Sequence, residues 1–465
     1  MTRRTLAAQI TLVLGSTLGL HSPVCAQDQE VTGHAILRLE NGFTIEEVVA
    51  TYGAEVLDVL DGGSRPHYLI QLPAALPDVQ FLMQAAEDAR IKDAEIDVTA
   101  AVPDPGTQSF FIPSASIRFT NQPSRGRAEL NYGAGASAVS GALPGTLVAV
   151  IDTGIDTTHP LLAGRIAPNG VSLLFGDPSI EDAGDGADND NDGDVDELVG
   201  HGTMVASAVL YADPDAVILP IRAVDSDGRS TAFRVAKGIN EAVLRGARVI
   251  NVSLGSTIST GVIDSAIEDA TAAGVVVIAS VGNDGANLER FPAASVGAIA
   301  VAGTGANDVH APFTTFGSYV TISAPAVGFV GAFPGGMWAE SSGTSFASPL
   351  VAGVASRILS ANPALLPDQV RSVITTSADP IDPSNPGFEG LLGAGRVNAR
   401  AALSQVGILP PYLEGDLDLD NRIDVNDLNR VLSVWHSADP IGDADYSGFV
   451  DIDDLNEILS MWGLP

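Results

Sequence analysis

Six runs in the middle of this chain carry almost no polar alternation: LVAVID at 147–152, AVILPIRAV at 216–224, ARVINVSLG at 247–255, VVVIASVG at 275–282, AIAVAG at 298–303 and YVTISAP at 319–325. A strand with one wet face alternates apolar and polar residues, so runs like these describe strands covered on both faces. Helical stretches lie between them, which makes the connections parallel crossovers. The expected fold over 136–405 is therefore α/β, a three-layer sandwich around a parallel sheet. In such a sheet a site belongs at the carboxyl ends of the strands.

The chemistry-bearing motifs fall there. Asp152 closes LVAVID just before a glycine turn, which sets a carboxylate at the tip of a buried strand. His201 stands in GHGTMVAS between Gly200 and Gly202, whose missing side chains leave the imidazole room to face a cleft as a general base. His159, in DTTHPLL, reads instead as a structural imidazole packed near Asp152. Ser345, in SSGTSFASPLVAGVA, opens a small-residue helix with Pro349 expected in its first turn. There its hydroxyl is exposed and its own N–H points where the helix dipole favours negative charge. Asn283 follows VVVIASVG, where a side-chain amide can donate to the oxyanion of a tetrahedral intermediate. Taken singly, each residue also reads as a cap, a turn or packing.

Together, DTGID, GHGTMVAS, ASVGN and GTSFASP resemble the motifs of the subtilisin-like peptidases, over roughly residues 140–405 and in the chain order Asp, His, Ser. An α/β-hydrolase would need GxSxG, and Ser345 lies in GTSFA. The resemblance implies a serine endopeptidase. Asp152 would orient the imidazole, His201 would take the proton from Ser345, and Asn283 with the Ser345 N–H would hold the oxyanion. It also matches Ser253, Leu254 and Gly255 to the strand that pairs with substrate backbone, so the implied substrate is an extended polypeptide. Asp284 is a candidate for lining the primary pocket and favouring a basic side chain. No organic cofactor is implied.

Ahead of this region, residues 1–26 combine Arg3 and Arg4, an apolar run from Leu6 to Leu20 and a small-residue ending at Ala26, the pattern of a cleaved secretory signal. Cleavage there would remove Cys25, the only cysteine, and with it any thiol chemistry. Residues 27–105 read as strand, helix, strand, strand, helix, strand, the order of a ferredoxin-like α+β unit, with Thr44 and Glu47 as a capping box. The family resemblance makes this unit a propeptide; an accessory domain is the alternative. Residues 106–135, rich in Pro, Ser, Gly and Arg, read as an exposed linker. The net charge of −34 argues against nucleic acid as a partner, and no run is long enough for a convincing membrane span.

Much of the acid is gathered in three strings. Between Asp152 and His201, Asp188, Asp190, Asp192 and Gly193 match positions one, three, five and six of a calcium loop, with Asp194 or Asp196 as further ligands. After a short linker at 406–414, residues 415–465 contain a repeat. Asp416, Asp418, Asp420, Asp424 and Asp427 recur as Asp443, Asp445, Ser447, Asp451 and Asp454, each set leading into one apolar helix. Leu428, Leu432, Trp435, Leu455, Leu459 and Trp462 are the expected core. This pair resembles a type I dockerin, which implies two Ca2+ sites and a cohesin-like or other surface protein as partner. Val425, Asn426, Ile452 and Asp453 depart from the hydroxyl residues that such modules carry at loop positions ten and eleven. The expectation is a secreted, calcium-stabilised endopeptidase made as a zymogen. The alternative is a catalytically inactive extracellular protein that binds through calcium.

Overall fold

The computed structural model describes residues 31–61, 65–103, 110–111, 145–190, 192–407, 417, 423–437, 442, 444, 450–460 and 462. The expected signal segment, most of the 106–135 and 406–414 linkers, and Asp416, Asp418, Asp420, Asp443, Asp445 and Ser447 lie outside them.

β1 (Val31–Leu39), α1 (Ile45–Tyr52), β2 (Glu55–Leu60), β3 (His67–Gln71), α2 (Asp78–Glu87) and β4 (Ile91–Ala101) form an N-terminal unit with sheet order β2-β3-β1-β4. Every neighbouring pair among these strands is antiparallel. Side chains alternate across a strand, and β1 uses both sets. Ala35 and Leu37 join Ile70, Phe81, Leu82 and Ile96 in the core beneath the two helices. Ile36, with Leu60, Leu69 and Val98, enters the core of the following region instead.

That region begins after β5 (Phe110–Phe111). It contains β6 (Leu147–Asp152), β7 (Val171–Ser172), α3 (His201–Ala212), β8 (Val217–Arg222), β9 (Arg229–Thr231), α4 (Ala232–Leu244), β10 (Val249–Val252), α5 (Gly261–Ala272), β11 (Val276–Ser280), β12 (Ala298–Thr304), β13 (Ile322–Pro325), β14 (Phe329–Phe333), β15 (Met337–Ser341), α6 (Thr344–Ala361), α7 (Pro367–Thr376) and α8 (Ala399–Gln405). The main sheet runs β13-β12-β11-β10-β6-β8-β7, with every neighbouring pair parallel. Val148 and Val150 of β6 pack with Val205, Val209, Leu350 and Val354 of α3 and α6 on one face. Ala149 and Ile151 pack with Val235, Ile239, Ile263 and Ile267 of α4 and α5 on the other. All six sequence runs contain strands of this α/β fold. The strand order reverses between β6 and β10, and the crevice beyond their carboxyl ends is where the fold offers a site.

Near the C-terminus, α9 (Val425–Ser433) and α10 (Ile452–Ser460) enclose a small core of Ile423, Val431, Ala444, Val450 and Ile458, with Leu428, Trp435 and Leu455 packed against it. Leu432, Leu459 and Trp462, expected inside, are 51%, 51% and 46% exposed. The buried stripe runs instead through Leu428 and Val431 and through Leu455 and Ile458, one face of each helix at three-residue spacing. No helix among the described residues is long and apolar enough to cross a membrane.

Candidate active site

Asp152, the last residue of β6, is 1% exposed, and its Oδ1 lies 2.7 Å from Nδ1 of His201, the first residue of α3. The same oxygen accepts the Thr153 N–H at 2.8 Å. Two glycines permit the approach. Gly154 takes φ +114° and any Cβ there would sit 2.7 Å from the Glu181 carbonyl oxygen; a Cβ on Gly202 would collide with the Gly154 carbonyl. His201 keeps 9% of its side chain exposed and packs against the Phe346 ring of α6 at 5.8 Å. His159 is fully buried but turns elsewhere: its Nε2 lies 3.0 Å from the Met337 carbonyl of β15, and its ring meets Trp338 edge-on.

Ser345 is the second residue of α6, so its N–H belongs to the unpaired first turn of the helix. Its hydroxyl donates to the Ser253 carbonyl at 3.3 Å. Pro349, expected in the first turn, is the sixth helical residue, because α6 starts at Thr344. Lacking an N–H, it leaves the Ser345 carbonyl without its helical donor, and the Ser253 hydroxyl supplies one at 3.0 Å. Leu254 is buried beside it. Asn283, half-buried after β11, accepts the Thr344 N–H at 2.9 Å and the Thr344 hydroxyl at 3.0 Å through Oδ1. That fixes its amide with Nδ2 outward.

What Nδ2 meets is the chain itself. It donates to the Pro103 carbonyl at 2.8 Å. Upstream, Ala101 and Gly255 exchange hydrogen bonds at 3.1 and 2.9 Å, and the Val102 N–H donates to the Gly228 carbonyl at 2.9 Å. β4 pairs antiparallel with β9, and beyond the crevice β5, in the expected linker, pairs antiparallel with β15. The N-terminal unit is anchored by two buried carboxylates at helix starts. Glu95 accepts the Gly261 and Val262 N–H groups of α5 at 2.6 and 2.7 Å, and Asp97 accepts the Phe233 N–H of α4 at 2.9 Å. Burial pushes Glu95 up to about 7 and Asp97 up to about 6 against these donors. Lys237 adds an ion pair to Asp58.

Asp284 does not face a pocket as a free charge. Arg290 binds both of its oxygens and Thr315 donates to one at 2.9 Å, which removes the basis for a basic-residue preference. In the inserted string, carboxylate oxygens of Asp188, Asp190 and Asp192 lie within 4.8 Å of one another. Asp194 is not in that group, and Asp196 instead accepts the Asp185 and Gly186 N–H groups. Burial first, then Asp227, Asp190 and Asp192, push Glu197 up to about 7. In the C-terminal repeat, fully buried Asp427 accepts from Leu417 N at 2.6 Å and Asp424 N at 2.9 Å; Asp454 accepts from Ala444 N at 2.5 Å and Asp451 N at 2.8 Å. Asp424 and Asp451 accept the Asn426 and Asp453 N–H groups at 2.7 and 2.9 Å at the helix starts.

The profile of the Subtilase family (Peptidase_S8) matches residues 144–395. Subtilisin BL of Lederbergia lenta is 35% identical over 267 residues, covering 56% of this chain and 90% of that protein. Thermitase of Thermoactinomyces vulgaris is 35% identical over 269 residues, covering 56% and 88%. Among solved structures, fervidolysin of Fervidobacterium pennivorans, described as a keratinolytic enzyme related to subtilisin, superposes with a TM-score of 0.67 at 22% identity. That match covers 81% of this chain and 62% of fervidolysin, and at such identity it speaks for the fold alone.

Proposed function

Because this chain belongs to the subtilase family and is a serine endopeptidase, we propose that Asp152, His201 and Ser345 are its triad and that the chain is made as a zymogen blocked by its own N-terminal unit. Ser345 Oγ attacks the scissile carbonyl carbon while His201 takes its proton; Asp152 orients and stabilises the imidazolium. Asn283 Nδ2 and the Ser345 N–H hold the oxyanion. His201 then delivers the proton to the leaving amine, the C–N bond breaks, and water hydrolyses the acyl-enzyme. Gly255 and Gly228 hold an extended polypeptide by strand addition.

The observation that carries this reading is the Asn283 amide on the Pro103 carbonyl, at the end of a strand already paired with Gly255. Applied to the chain itself, the presented bond is Pro103–Asp104, and the ferredoxin-like unit ahead of it is the propeptide. The test compares wild type with Ser345→Ala over time, reading chain mass and cleavage of unfolded casein. Wild type is expected to gain a new N-terminus at Asp104 and to digest casein, and the variant to do neither. A folded wild type that stays intact and does not react with a fluorophosphonate would overturn the triad. A different new N-terminus would overturn only the choice of bond.

Asp188, Asp190 and Asp192 offer hard oxygen donors in a strongly acidic neighbourhood, a set that suits Ca2+. The repeat at 415–465 adds two dockerin-like calcium loops and exposes matched apolar residues, Val425 and Leu432 on α9, Ile452 and Leu459 on α10, for an extracellular partner. A chelator is then expected to lower the melting temperature; an unchanged value would refute the metal sites. The N-terminal segment reads as a secretory signal, and on this reading the protein acts outside the cell.

A further inference from the structure

Asp152 and His201 sit on different elements, 49 residues apart in sequence. One buried carboxylate ties those elements together. Asp182 is 4% exposed. Its Oδ1 accepts the Thr153 hydroxyl at 3.0 Å and the Gly200 N–H at 2.9 Å; its Oδ2 accepts the Thr203 N–H at 3.0 Å and the Thr203 hydroxyl at 2.6 Å. The Thr153 hydroxyl in turn accepts the Gly202 N–H at 2.9 Å, and the Thr203 hydroxyl accepts the Asp156 N–H at 3.0 Å. The neighbour of Asp152 and both neighbours of His201 therefore belong to a single network centred on Asp182. The segment is seated by the Ile155 N–H, which donates to the Ile180 carbonyl at 2.9 Å.

A buried carboxylate is costly unless its lone pairs are satisfied, and here four neutral donors and the start of α3 do that work. Donors reach both oxygens, so the site is built for a carboxylate rather than for an amide of the same size. Building on the triad proposed above, we infer that Asp182 is a positioning residue for the reaction: it fixes the strand end bearing Asp152 against the helix start bearing His201, and its negative charge favours the imidazolium. Burial first, and the neighbouring Asp152 carboxylate in smaller measure, push Asp182 up, while the Thr203 and Gly200 donors favour its charged form.

The experiment uses the full chain and a short peptide substrate. Thr153→Val keeps the shape and deletes the hydroxyl between Asp182 and Gly202, whereas Thr153→Ser keeps the hydroxyl. Asp182→Asn keeps the size and deletes the charge. Thr153→Val is expected to lower kcat by roughly tenfold or more, with KM changed by less than about threefold, and Thr153→Ser to restore it, as for a small misplacement of reacting groups. Asp182→Asn is expected to lower kcat by up to about a hundredfold and to move the acid limb of kcat/KM to lower pH. If Asp182→Asn does not fold, the Thr153 pair decides. Variants with wild-type kcat and acid limb would overturn the inference, and so would variants that lose only melting temperature. A wild type that is inert and also fails to react with a fluorophosphonate would instead refute the triad itself.

Discussion

The first turns of α6 are held to the segment after β10 through the gap in hydrogen bonding that Pro349 opens. The proline removes one helical donor, the Ser253 hydroxyl replaces it, and the segment after β10 is thereby fastened to Ser345. Asn283 is equally constrained, because Thr344 occupies its carbonyl oxygen and leaves only the amide to donate. Asn283→Ala is therefore expected to cost about a hundred- to a thousandfold in kcat while KM stays near wild type, and a kcat within about threefold of wild type would remove it from the oxyanion site. The places of Asp152 at a strand end, of His201 and Ser345 at helix starts and of Asn283 after a strand were legible in the sequence, because glycines and apolar runs flank them. Asp182 was not. It lies in a string of acids that all look alike until folding shows which one is buried, and Pro103 carries no mark of its own at all.

At the scale of elements, β4 is the link between the N-terminal unit and the peptidase fold, and its carboxylates make that link sensitive to pH. Burial raises Glu95 from 4.5 to about 7 and Asp97 from 3.8 to about 6. Groups with raised values take up protons on docking, so their contribution is complete below pH 4 and is lost as pH rises through 6 to 7. His67, lowered to about 4 by burial, works in the opposite sense on the acid side. The Glu95 part is isolated by comparing Ser345→Ala with Ser345→Ala/Glu95→Gln. Relative to the parent, the double variant is expected to gain melting temperature steadily from pH 5 to pH 7.5; parallel curves would refute the coupling. The long strands of the main sheet were readable because burial on both faces leaves an unbroken apolar run. β5, two residues inside a stretch read as linker, was not, since a strand that short exists only through its partner β15.

Over the whole molecule, β4 runs on to Pro103, whose carbonyl meets Asn283, and β5 pairs with β15; on the proposed function this puts the chain in its own crevice. Such an arrangement was invisible to periodicity, which describes each region alone and says nothing about one lying in the cleft of another. It has a kinetic meaning. While the peptide link is whole, the occupying segment acts at an effective concentration of about millimolar or above, and a foreign polypeptide must compete with that. Once Pro103–Asp104 is cut, as proposed, the occupant becomes an ordinary ligand whose hold depends on how dilute the protein is. The tether thus makes the block independent of how dilute the protein is, and on the proposed cleavage it is the cut that lets dilution release the occupant.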